Sequence, residues 1–341
     1  MSQSEIKNCR IAGISSCIPS KIYNNRRDST QFPKIDVEKV VSLAGIVERH
    51  VCDDSTCSSD LCYKSAEDLI EKLGWDKDTI DGLIFITQSP DYFLPSTSCV
   101  LHERLGLSDD CAAFDIGLGC SGYPYGIWMA AMMLNSSHKR VLVLHGETPN
   151  RFTSPDDKVT YLLFGDAGSA TALEYDENCS TPWYFTFGTD GKGYEDLIIY
   201  SGGFRKRFDD DQRQHYLYMK GTNLFNFTIK KIPSLIKDTL NISNKNTEDI
   251  DYFIFHQSNK YMMKHLVKKC GIKKEQAPII LDKFGNTGGP SVPLTITQTL
   301  NDRDITKPVS MMLLGYGVGL SWGAALLELD KEAIISHIIY D

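Results

Sequence analysis

The sequence has few features of membrane or secreted proteins. Its longest strongly apolar stretch, Tyr123 to Leu134, is shorter than the roughly 20 residues that a helix needs to span a bilayer, so no membrane span is predicted. The N-terminal residues, Met1 to Lys7, have neither the basic start nor the apolar middle of a secretory signal. The chain is therefore expected to work in the cytoplasm, and its 10 cysteines are expected to remain thiols there.

The cysteines also lack the spacing of a metal site. His50, Cys52, Cys57 and Cys62 are the residues that could be drawn as ligands. Zinc knuckles use a paired Cys-x-x-Cys, and no such pair occurs in this stretch. No metal site is predicted, and each cysteine is first interpreted as a small core residue.

Positive charge is in deficit. Lysine and arginine number 36 against 44 aspartates and glutamates, which gives a formal charge of −8. Proteins that wrap nucleic acid neutralise its phosphates with basic residues, so no nucleic-acid partner is predicted. The composition is otherwise that of an ordinary globular protein, with 42% hydrophobic and 23% charged residues. A length of 341 residues fits two domains or one doubled domain.

An internal repeat favours a doubled architecture. Three segments of the first half reappear in the same order in the second half, and each is a short apolar run typical of a buried strand. Chance similarity between apolar strands would explain any one pair, but it is a poor explanation of three. We predict two α/β halves, residues 1–175 and 176–341, each with a mainly parallel sheet. The pairs are Thr79–Ile86 with Asp249–His256, Ala113–Asp115 with Ile280–Asp282, and Val141–Leu144 with Ser310–Leu314.

Helical patterns lie between these strands. Apolar residues recur at helical spacing from Cys62 to Leu73, just before Gly74, and again from Leu224 to Leu240. Pro233 predicts a break or kink in the second helix. Sites in α/β folds lie beyond strand ends, so the glycine-rich turns at these ends mark the candidate site. They are residues 117–122, 285–289 and 315–319.

Cys120 is the candidate nucleophile. It follows a predicted strand and a glycine turn, and it opens the apolar run from Tyr123 to Leu134. A thiol at the N-terminus of a helix faces exposed N–H groups and the positive end of the helix dipole, which favour the nucleophilic thiolate. A small buried residue in a tight turn is the equally plausible alternative when Cys120 is considered alone.

His256 and Asn286 lie at corresponding places in the second half. His256 ends the repeated strand, where the first copy has Ile86 or Thr87, and an imidazole there falls where α/β sites form. Asn286 follows the second repeated segment, as Cys120 follows the first. Taken separately, the histidine fits a backbone cap and the asparagine fits ordinary turn chemistry. Taken together, the three polar groups converge on strand ends of the two halves.

Six motifs extend this pattern: Gly45–His50, Asp115–Tyr123, Phe164–Gly168, His256–Asn259, Gly285–Thr287 and Tyr316–Gly323. In order and approximate spacing they resemble the β-ketoacyl-acyl-carrier-protein synthase III family, which are condensing enzymes of the thiolase fold. The resemblance implies an α/β thiolase-like fold, in which duplicated halves form a five-layered αβαβα subunit, and a homodimer. It implies no permanently bound cofactor, because coenzyme A thioester is a substrate.

The resemblance also implies a reaction. Cys120 takes an acyl group from acyl-coenzyme A, and the backbone N–H groups of Cys120 and Val318 hold the oxyanion. Malonyl-acyl carrier protein then loses carbon dioxide while His256 and Asn286 donate hydrogen bonds to its thioester oxygen. The resulting carbanion equivalent attacks the acyl-cysteine and starts fatty-acid or related acyl-chain synthesis.

Two other functional classes stay open at this point. An acyltransferase on the same fold would hand the acyl group to an amine or hydroxyl of a glycan or specialised metabolite. An inactive scaffold is disfavoured, since decay would be expected to remove at least one of Cys120, His256 and Asn286.

The chain departs from the family near the expected substrate entrance. Relatives commonly clamp the adenine of coenzyme A between tryptophan and arginine, and no clamp is visible in residues 38–44. Coenzyme A would then bind differently or weakly, or an acyl carrier protein would be the donor. Leu94 stands where relatives place a phenylalanine that closes the partner subunit's acyl pocket, which predicts a roomier pocket, unless a one-residue register error puts Phe93 there. Lys158 and Asn259 are the other candidate substrate-binding residues.

Two further segments have alternative interpretations. Lys260, Lys264 and Lys268 belong to a basic cluster that is either a solvated face or a docking surface for an acidic carrier protein. The isoleucine-rich tail, Lys331 to Asp341, extends past the family's usual end. It is expected to form a short docking helix, with a partner-binding element as the alternative.

Overall fold

The computed structural model of the chain describes residues 1–301, 303 and 305–341. The strands are β1 (Ser2–Ile6), β2 (Cys9–Pro19), β3 (Ile22–Asn24), β4 (Glu48–His50), β5 (Gly82–Ile86), β6 (Ala112–Ile116), β7 (Arg140–Glu147), β8 (Ala167–Tyr175), β9 (Trp183–Thr189), β10 (Leu197–Ile198), β11 (Tyr218–Met219), β12 (Tyr252–Phe255), β13 (Val309–Gly317), β14 (Ser321–Leu329) and β15 (Ile334–Tyr340). The α-helices are α1 (Asn25–Asp28), α2 (Lys34–Ala44), α3 (Ser58–Leu73), α4 (Thr97–Leu105), α5 (Gly122–Met133), α6 (Lys158–Tyr161), α7 (Gly221–Ser243), α8 (Lys260–Lys269), α9 (Leu281–Phe284) and α10 (Ser291–Leu300).

Two large sheets organise the chain. One has six strands in the order β15-β2-β8-β7-β5-β6, and the other has five in the order β1-β9-β14-β13-β12. The pairs β15–β2, β7–β5 and β5–β6 are parallel in the first sheet, whereas only β12–β13 is parallel in the second. The prediction of mainly parallel sheets is therefore wrong for the second half. Hairpin-like antiparallel pairing, as in β13–β14, needs only a short turn between strands.

Helices cover both faces of each sheet and give five layers. Ile127 of α5 and Val292 and Ile296 of α10 pack in one core with inward side chains of both sheets, so these two helices form the middle layer. The outer face of the six-stranded sheet packs against α3 and α4, and the outer face of the five-stranded sheet packs against α7 and α8. No helix within the described ranges is both long and apolar enough to cross a membrane.

The repeat is confirmed in two of its three pairs. The first pair forms β5 and β12, and the third forms β7 and β13. The second pair does not repeat as a strand: Ala113–Asp115 lies in β6, but Leu281–Phe284 forms the short helix α9. Asn286 therefore follows a helical turn, not a strand. The division at residue 175 stays a prediction, and each terminal strand pairs in the sheet of the other half.

The two predicted long helices are present. Helix α3 ends at Leu73, and Gly74 caps it in the left-handed conformation with φ of 61°, which glycine adopts at little cost. Helix α7 continues through Pro233, so the predicted break is wrong. Proline has no N–H for the carbonyl of Ile229, and the Lys269 Nζ atom donates to that carbonyl instead, at 2.7 Å. This contact satisfies the acceptor that the proline leaves without its helical partner.

The tail is a strand, and the prediction of a docking helix is wrong. Residues Ile334–Tyr340 form β15, which pairs in parallel with β2. Isoleucines at 334, 335, 338 and 339 fit a helical stripe as well as a two-faced strand, and the free edge of β2 decides between them. Ile338 and Tyr340 pack against Cys17, Cys52 and Leu61.

Deleting residues 334–341 is expected to destabilise the protein. The deletion exposes the edge of β2 and the cluster under Ile338 and Tyr340. At about 1.5–3 kcal/mol for each fully buried side chain of this size, the half-buried ones of β15 predict a loss on the order of 3 kcal/mol. Urea unfolding would measure it. Ile339→Ala is the control, because Ile339 is 58% exposed, and an equal loss there would contradict the argument.

Candidate active site

Cys120 lies where the two halves meet. It follows β6 and precedes α5, whose N-cap residue is Ser121. The turn after β13 comes close to it: a Cβ atom built on Gly317 would lie 2.7 Å from the Cys120 Cβ and 2.9 Å from its Sγ. A side chain at 317 would displace the nucleophile, so the glycine permits the close approach. Burial raises the pKa of the Cys120 thiol, and the backbone N–H of Val318 partly opposes that increase.

His256 follows β12 and is almost fully buried. Its Nδ1 atom lies 3.0 Å from the Gly288 carbonyl oxygen and 2.9 Å from the Ser291 Oγ atom. A proton on Nδ1 can be donated to the carbonyl, which leaves Nε2 as an acceptor. Alternatively, the Ser291 hydroxyl donates a hydrogen bond to an unprotonated Nδ1, in the tautomer whose proton lies on Nε2 and is free to be donated. The surroundings therefore support both neutral forms of the ring.

Asn286 is fixed by its backbone and by its side-chain oxygen. Its N–H donates to the Leu163 carbonyl at 2.9 Å, and its carbonyl accepts from the Gly165 N–H at 3.1 Å. Its Oδ1 atom accepts from the Gly288 N–H at 3.0 Å. This last bond settles the orientation of the amide and leaves the Nδ2 hydrogens as donors.

Cys120, His256 and Asn286 line one narrow cavity of about 120 Å³. The three groups were predicted from the sequence to share a chamber, and their placement is confirmed. Asn259 also lines this cavity, although its Oδ1 atom caps α8 by accepting from the Met262 N–H at 2.8 Å. A second, larger cavity of about 380 Å³ is also lined by Cys120, together with Val318. The nucleophile therefore stands at the junction of two spaces.

Burial sets the protonation of the resting site. It raises the pKa of the Cys120 thiol to about 11, because the Val318 N–H offsets only part of the cost of burying a thiolate. Burial also lowers the pKa of His256 to about 4. Near pH 7 both groups are neutral. The helix N-terminus was expected to favour a Cys120 thiolate, and burial acts against that expectation in the resting site.

This protonation state predicts the pH dependence of Cys120 alkylation. With a pKa of about 11, the thiolate fraction increases about tenfold per pH unit. Iodoacetamide labelling of the Cys120 peptide, followed by mass spectrometry between pH 6 and 10, should accelerate over the whole range. The exposed Cys99 reports reagent activity in the same samples. A rate that levels off below pH 8 would show a stabilised thiolate and contradict the argument.

The remaining predicted residues lie outside these two cavities. Lys158 forms an ion pair with Asp36 of α2 at 2.8 Å. Leu94 is 78% exposed on a loop after β5. Lys260 and Lys264 line a separate surface groove of about 500 Å³ with Arg26, Leu43 and Tyr261, whereas Lys268 lies near the end of α8. In the described part of the chain, none of these side chains lines either cavity at Cys120.

Glu147 is a buried residue of the site that the sequence analysis did not identify. It ends β7, is buried and lines the larger cavity. Its two carboxyl oxygens accept from the Gln88 N–H at 2.8 Å and the Ser89 hydroxyl at 3.0 Å. Burial raises its pKa to about 8. Like His256, Glu147 is a polar residue at the end of a repeated apolar strand. The same signal could have identified it.

No metal grouping accompanies the site. In the described part of the chain, no cluster of three or more histidine, cysteine, aspartate or glutamate side chains is arranged to hold an ion. His50, the first of the ligands considered above, instead places its Nδ1 atom 2.6 Å from the Pro19 carbonyl oxygen.

Comparison with known proteins shows which family has this architecture. Family models for 3-oxoacyl-[acyl-carrier-protein (ACP)] synthase III match residues 114–191, and those for its C-terminal part match residues 240–329. A putative 3-oxoacyl-[acyl-carrier-protein] synthase 3 of Campylobacter jejuni is 34% identical over 89% of this chain and 88% of its own. A β-ketoacyl-[acyl-carrier-protein] synthase III of Natranaerobius thermophilus is 31% identical over 95% of this chain and 100% of its own.

Solved structures agree. The crystal structure of a 3-oxoacyl-(acyl-carrier protein) synthase from Burkholderia xenovorans superimposes with a TM-score of 0.95 at 40% identity, over 99% of both chains. The five layers and the cysteine at the junction of the halves define a condensing enzyme of the thiolase fold. Within that class, the chain belongs to the 3-oxoacyl-acyl-carrier-protein synthase III family.

Proposed function

We propose that the protein catalyses the decarboxylative condensation of an acyl thioester with malonyl-acyl carrier protein through an acyl-cysteine at Cys120. The observation that carries this proposal is the single cavity lined by Cys120, His256 and Asn286. A thiol next to a neutral imidazole supports covalent acyl transfer, and two hydrogen-bond donors facing the same space support an enolate. The assignment of these roles is ours.

In the first half-reaction the thiol must lose its proton. His256 accepts it at Nε2 when its Nδ1 proton is held by the Gly288 carbonyl. The sulfur attacks the thioester carbon, and the N–H groups of Cys120 and Val318 stabilise the oxyanion. The tetrahedral intermediate collapses to acyl-cysteine and releases the donor's thiolate, which takes the proton from the imidazolium.

In the second half-reaction the malonyl group loses its carboxylate. The bond to that carboxylate breaks, carbon dioxide leaves, and the electron pair forms an enolate on the thioester. The Nε2–H of His256, formed when the Ser291 hydroxyl donates to Nδ1, and the Nδ2–H of Asn286 stabilise the enolate oxygen. The enolate carbon attacks the acyl-cysteine carbonyl, and collapse of this intermediate releases the Cys120 thiolate. The thiolate takes a proton from solvent, which is the one proton that the overall reaction consumes.

The larger cavity is the proposed acyl pocket. It is lined mainly by apolar side chains, including Phe152, Phe164, Leu197 and Leu217. The narrow cavity, lined by Asn259 and Met262 near the start of α8, is the proposed binding site for the arm that carries the malonyl thioester. Each half-reaction would then use its own approach to the same sulfur.

The basic groove beside α8 is the proposed docking surface for the carrier protein. Lys260 and Lys264 lie there with Arg26, and Lys268 continues the charge along the helix. Acyl carrier protein is acidic, and rim charges of opposite sign raise the rate of association. Lys158 already forms an ion pair with Asp36, so the proposal does not depend on a contact between Lys158 and the substrate. Both acyl-coenzyme A and acyl-carrier donors remain part of the test.

A homodimer is proposed from the exposed apolar surface near the larger cavity. Strand β6 is a sheet edge whose residues are half exposed, although Ala113, Phe114 and Ile116 are apolar. Phe93 and Leu94, on the loop after β5, are 68% and 78% exposed. Pairing of a second copy along β6 would cover this edge and bring the partner's Leu94 towards the acyl pocket. The cytoplasmic location stays a prediction.

Leu94→Phe is expected to narrow the acyl pocket of the partner subunit. The larger ring should reduce kcat/KM for donors longer than acetyl by about tenfold or more relative to acetyl, since one or two methylenes of misfit cost 1–3 kcal/mol. Competition between acetyl and longer donors measures this ratio. Phe93→Leu is the neighbouring control. A monomer by sedimentation, or an effect of the Phe93 variant alone, would contradict the assignment of Leu94.

The proposed function is tested with the full chain, a panel of acyl-coenzyme A and acyl-carrier donors, and malonyl-acyl carrier protein. We expect the mass of one acyl group on Cys120, followed by release of carbon dioxide and a 3-oxoacyl-carrier product. Acylation without carbon dioxide release, and with transfer to an amine or hydroxyl, would establish the acyltransferase alternative instead. If no donor acylates Cys120, the proposed acyl-cysteine mechanism is wrong, and the inactive scaffold is the functional class that is left.

A further inference from the structure

A buried pair of serines joins the two loops that meet at Cys120. The Oγ atoms of Ser121 and Ser321 lie 2.7 Å apart, although the residues are 200 positions apart in sequence. Ser321 Oγ also donates to the Val318 carbonyl at 2.8 Å. Ser121 is 0% exposed and Ser321 is 4% exposed. The contact therefore links the residue after the nucleophile with the residue that supplies the other N–H of the proposed oxyanion hole.

The direction of these hydrogen bonds is fixed by proton count. Each serine hydroxyl has one hydrogen. The Val318 carbonyl can only accept, so the Ser321 hydrogen is used there. Ser121 must then donate its hydrogen to Ser321 Oγ. The result is a directed chain from Ser121 through Ser321 to Val318, and buried bonds in such a chain strengthen one another.

The Val318 turn needs such a fixing contact. Val318 stands between Gly317 and Gly319, which have φ angles of 155° and 132°. Glycine in this region has wide conformational freedom, so the peptide planes on both sides of Val318 can rotate unless something holds them. The Val318 side chain lies at the wall of the larger cavity. Its carbonyl is tied to the loop of Cys120 through two hydrogen bonds, from Ser321 to Val318 and between Ser121 and Ser321.

We propose that Ser121 and Ser321 are positioning residues that keep the Cys120 and Val318 N–H groups aimed at the same oxygen. The inference rests on the proposed function, because it assumes that an oxyanion forms between these two groups. Neither serine touches the reacting atoms in this account. They act through the relative placement of two backbone donors contributed by different halves of the chain.

The test compares two reactions of the same sulfur. Acyl transfer from acyl-coenzyme A or an acyl-carrier donor builds negative charge on the thioester oxygen, so it needs the oxyanion hole. Alkylation by iodoacetamide forms a sulfur–carbon bond as iodide leaves, and no charge develops on an oxygen in the hole. The Val318 N–H also favours the thiolate that reacts with iodoacetamide, so loss of a positioning pair should lower acyl transfer much more than alkylation.

Ser321→Ala and Ser121→Ala are expected to lower the rate of Cys120 acylation about tenfold through kcat, with a clearly smaller loss in alkylation. Ser321→Thr keeps the hydroxyl and should restore most of the rate. The double variant should be no slower than Ser321→Ala, because Ser121 acts through Ser321. Ser310→Ala, which removes a buried hydroxyl of β13 without a hydrogen-bond partner among the described residues, is the matched control.

Each outcome has a distinct meaning. Equal losses in acylation and alkylation would show a general disturbance around Cys120 and overturn the inference, as would no loss in either reaction. Additive effects of the two alanine variants would also overturn the chain. Absence of acylation in the wild-type protein with every donor would remove the proposed function itself, and so is distinguishable from failure of the serine pair alone.

Discussion

Replacing Cys120 by alanine or serine is expected to abolish acyl transfer, with a fall in kcat of about 10⁴-fold or more. Alanine has no nucleophile. A serine hydroxyl is smaller than a thiol and far harder to ionise, and the burial that raises the pKa of the Cys120 thiol to about 11 would disfavour an alkoxide still more. His256 alone would not overcome this cost. The measurement is the mass of the intact protein after incubation with donor, together with the rate of product formation.

Cys99→Ser is the control for the loss of a thiol. Cys99 is exposed, whereas Cys120 lines both cavities, so the control should be acylated at the wild-type rate. Circular dichroism and thermal unfolding of Cys120→Ala would show whether the fold is retained, since the change removes only one sulfur from a tight turn. Residual acylation of the Cys120→Ala protein at another cysteine would show that a different nucleophile serves, and the mechanism would have to be rebuilt around it.

Much of the fold could be predicted because its central strands are strongly apolar. The runs that form β5 and β12 are buried and continuous, so the repeat could be recognised without knowing their partners. The edge strand β15 could not. Three of its isoleucines are half buried and Ile339 is exposed, and their spacing fits a helix or a strand. Pairing with β2, which is remote in sequence, decides the structure, and local pattern does not contain that information.

The site shows the same division between local and remote information. Cys120 and His256 could be selected because each follows a strand whose pattern is visible in the sequence. Asn286 was selected from a predicted strand that is the short helix α9. The pKa of Cys120 could not be predicted, since the turn around Gly317 from the other half buries the sulfur. The Ser121–Ser321 contact likewise joins residues with no local signal in common. What the sequence shows is the placement of groups at strand ends, and what it hides is how the halves alter their chemistry.

Removing the hydrogen-bond donors that the C-terminal half of the chain contributes to the site should separate the two half-reactions. Asn286→Ala is expected to lower decarboxylation about 10²–10³-fold, the loss typical of one oxyanion donor, while Cys120 is still acylated. Asn286→Asp is the sharper variant. An aspartate can keep the bond that Oδ1 accepts from the Gly288 N–H, but it replaces the donating Nδ2 by an oxygen. If the amide hydrogens act on the enolate, the aspartate variant will be at least as slow as the alanine variant.

His256→Ala should differ from both, because His256 serves twice in the proposed mechanism. Loss of the imidazole removes the acceptor for the Cys120 proton and also a donor to the enolate, so acylation and carbon dioxide release should both fall, the latter about 10²–10³-fold. The control is His265→Ala, which removes an exposed histidine of α8 that contacts Phe225.

Because burial lowers the pKa of His256 to about 4, the ring stays neutral from pH 8 down to about pH 5. Decarboxylation by the wild-type protein should therefore not decline over that range through this group. A His256→Ala protein that acylates at the wild-type rate would show that another group takes the thiol proton, whereas unchanged carbon dioxide release would remove His256 from the enolate site.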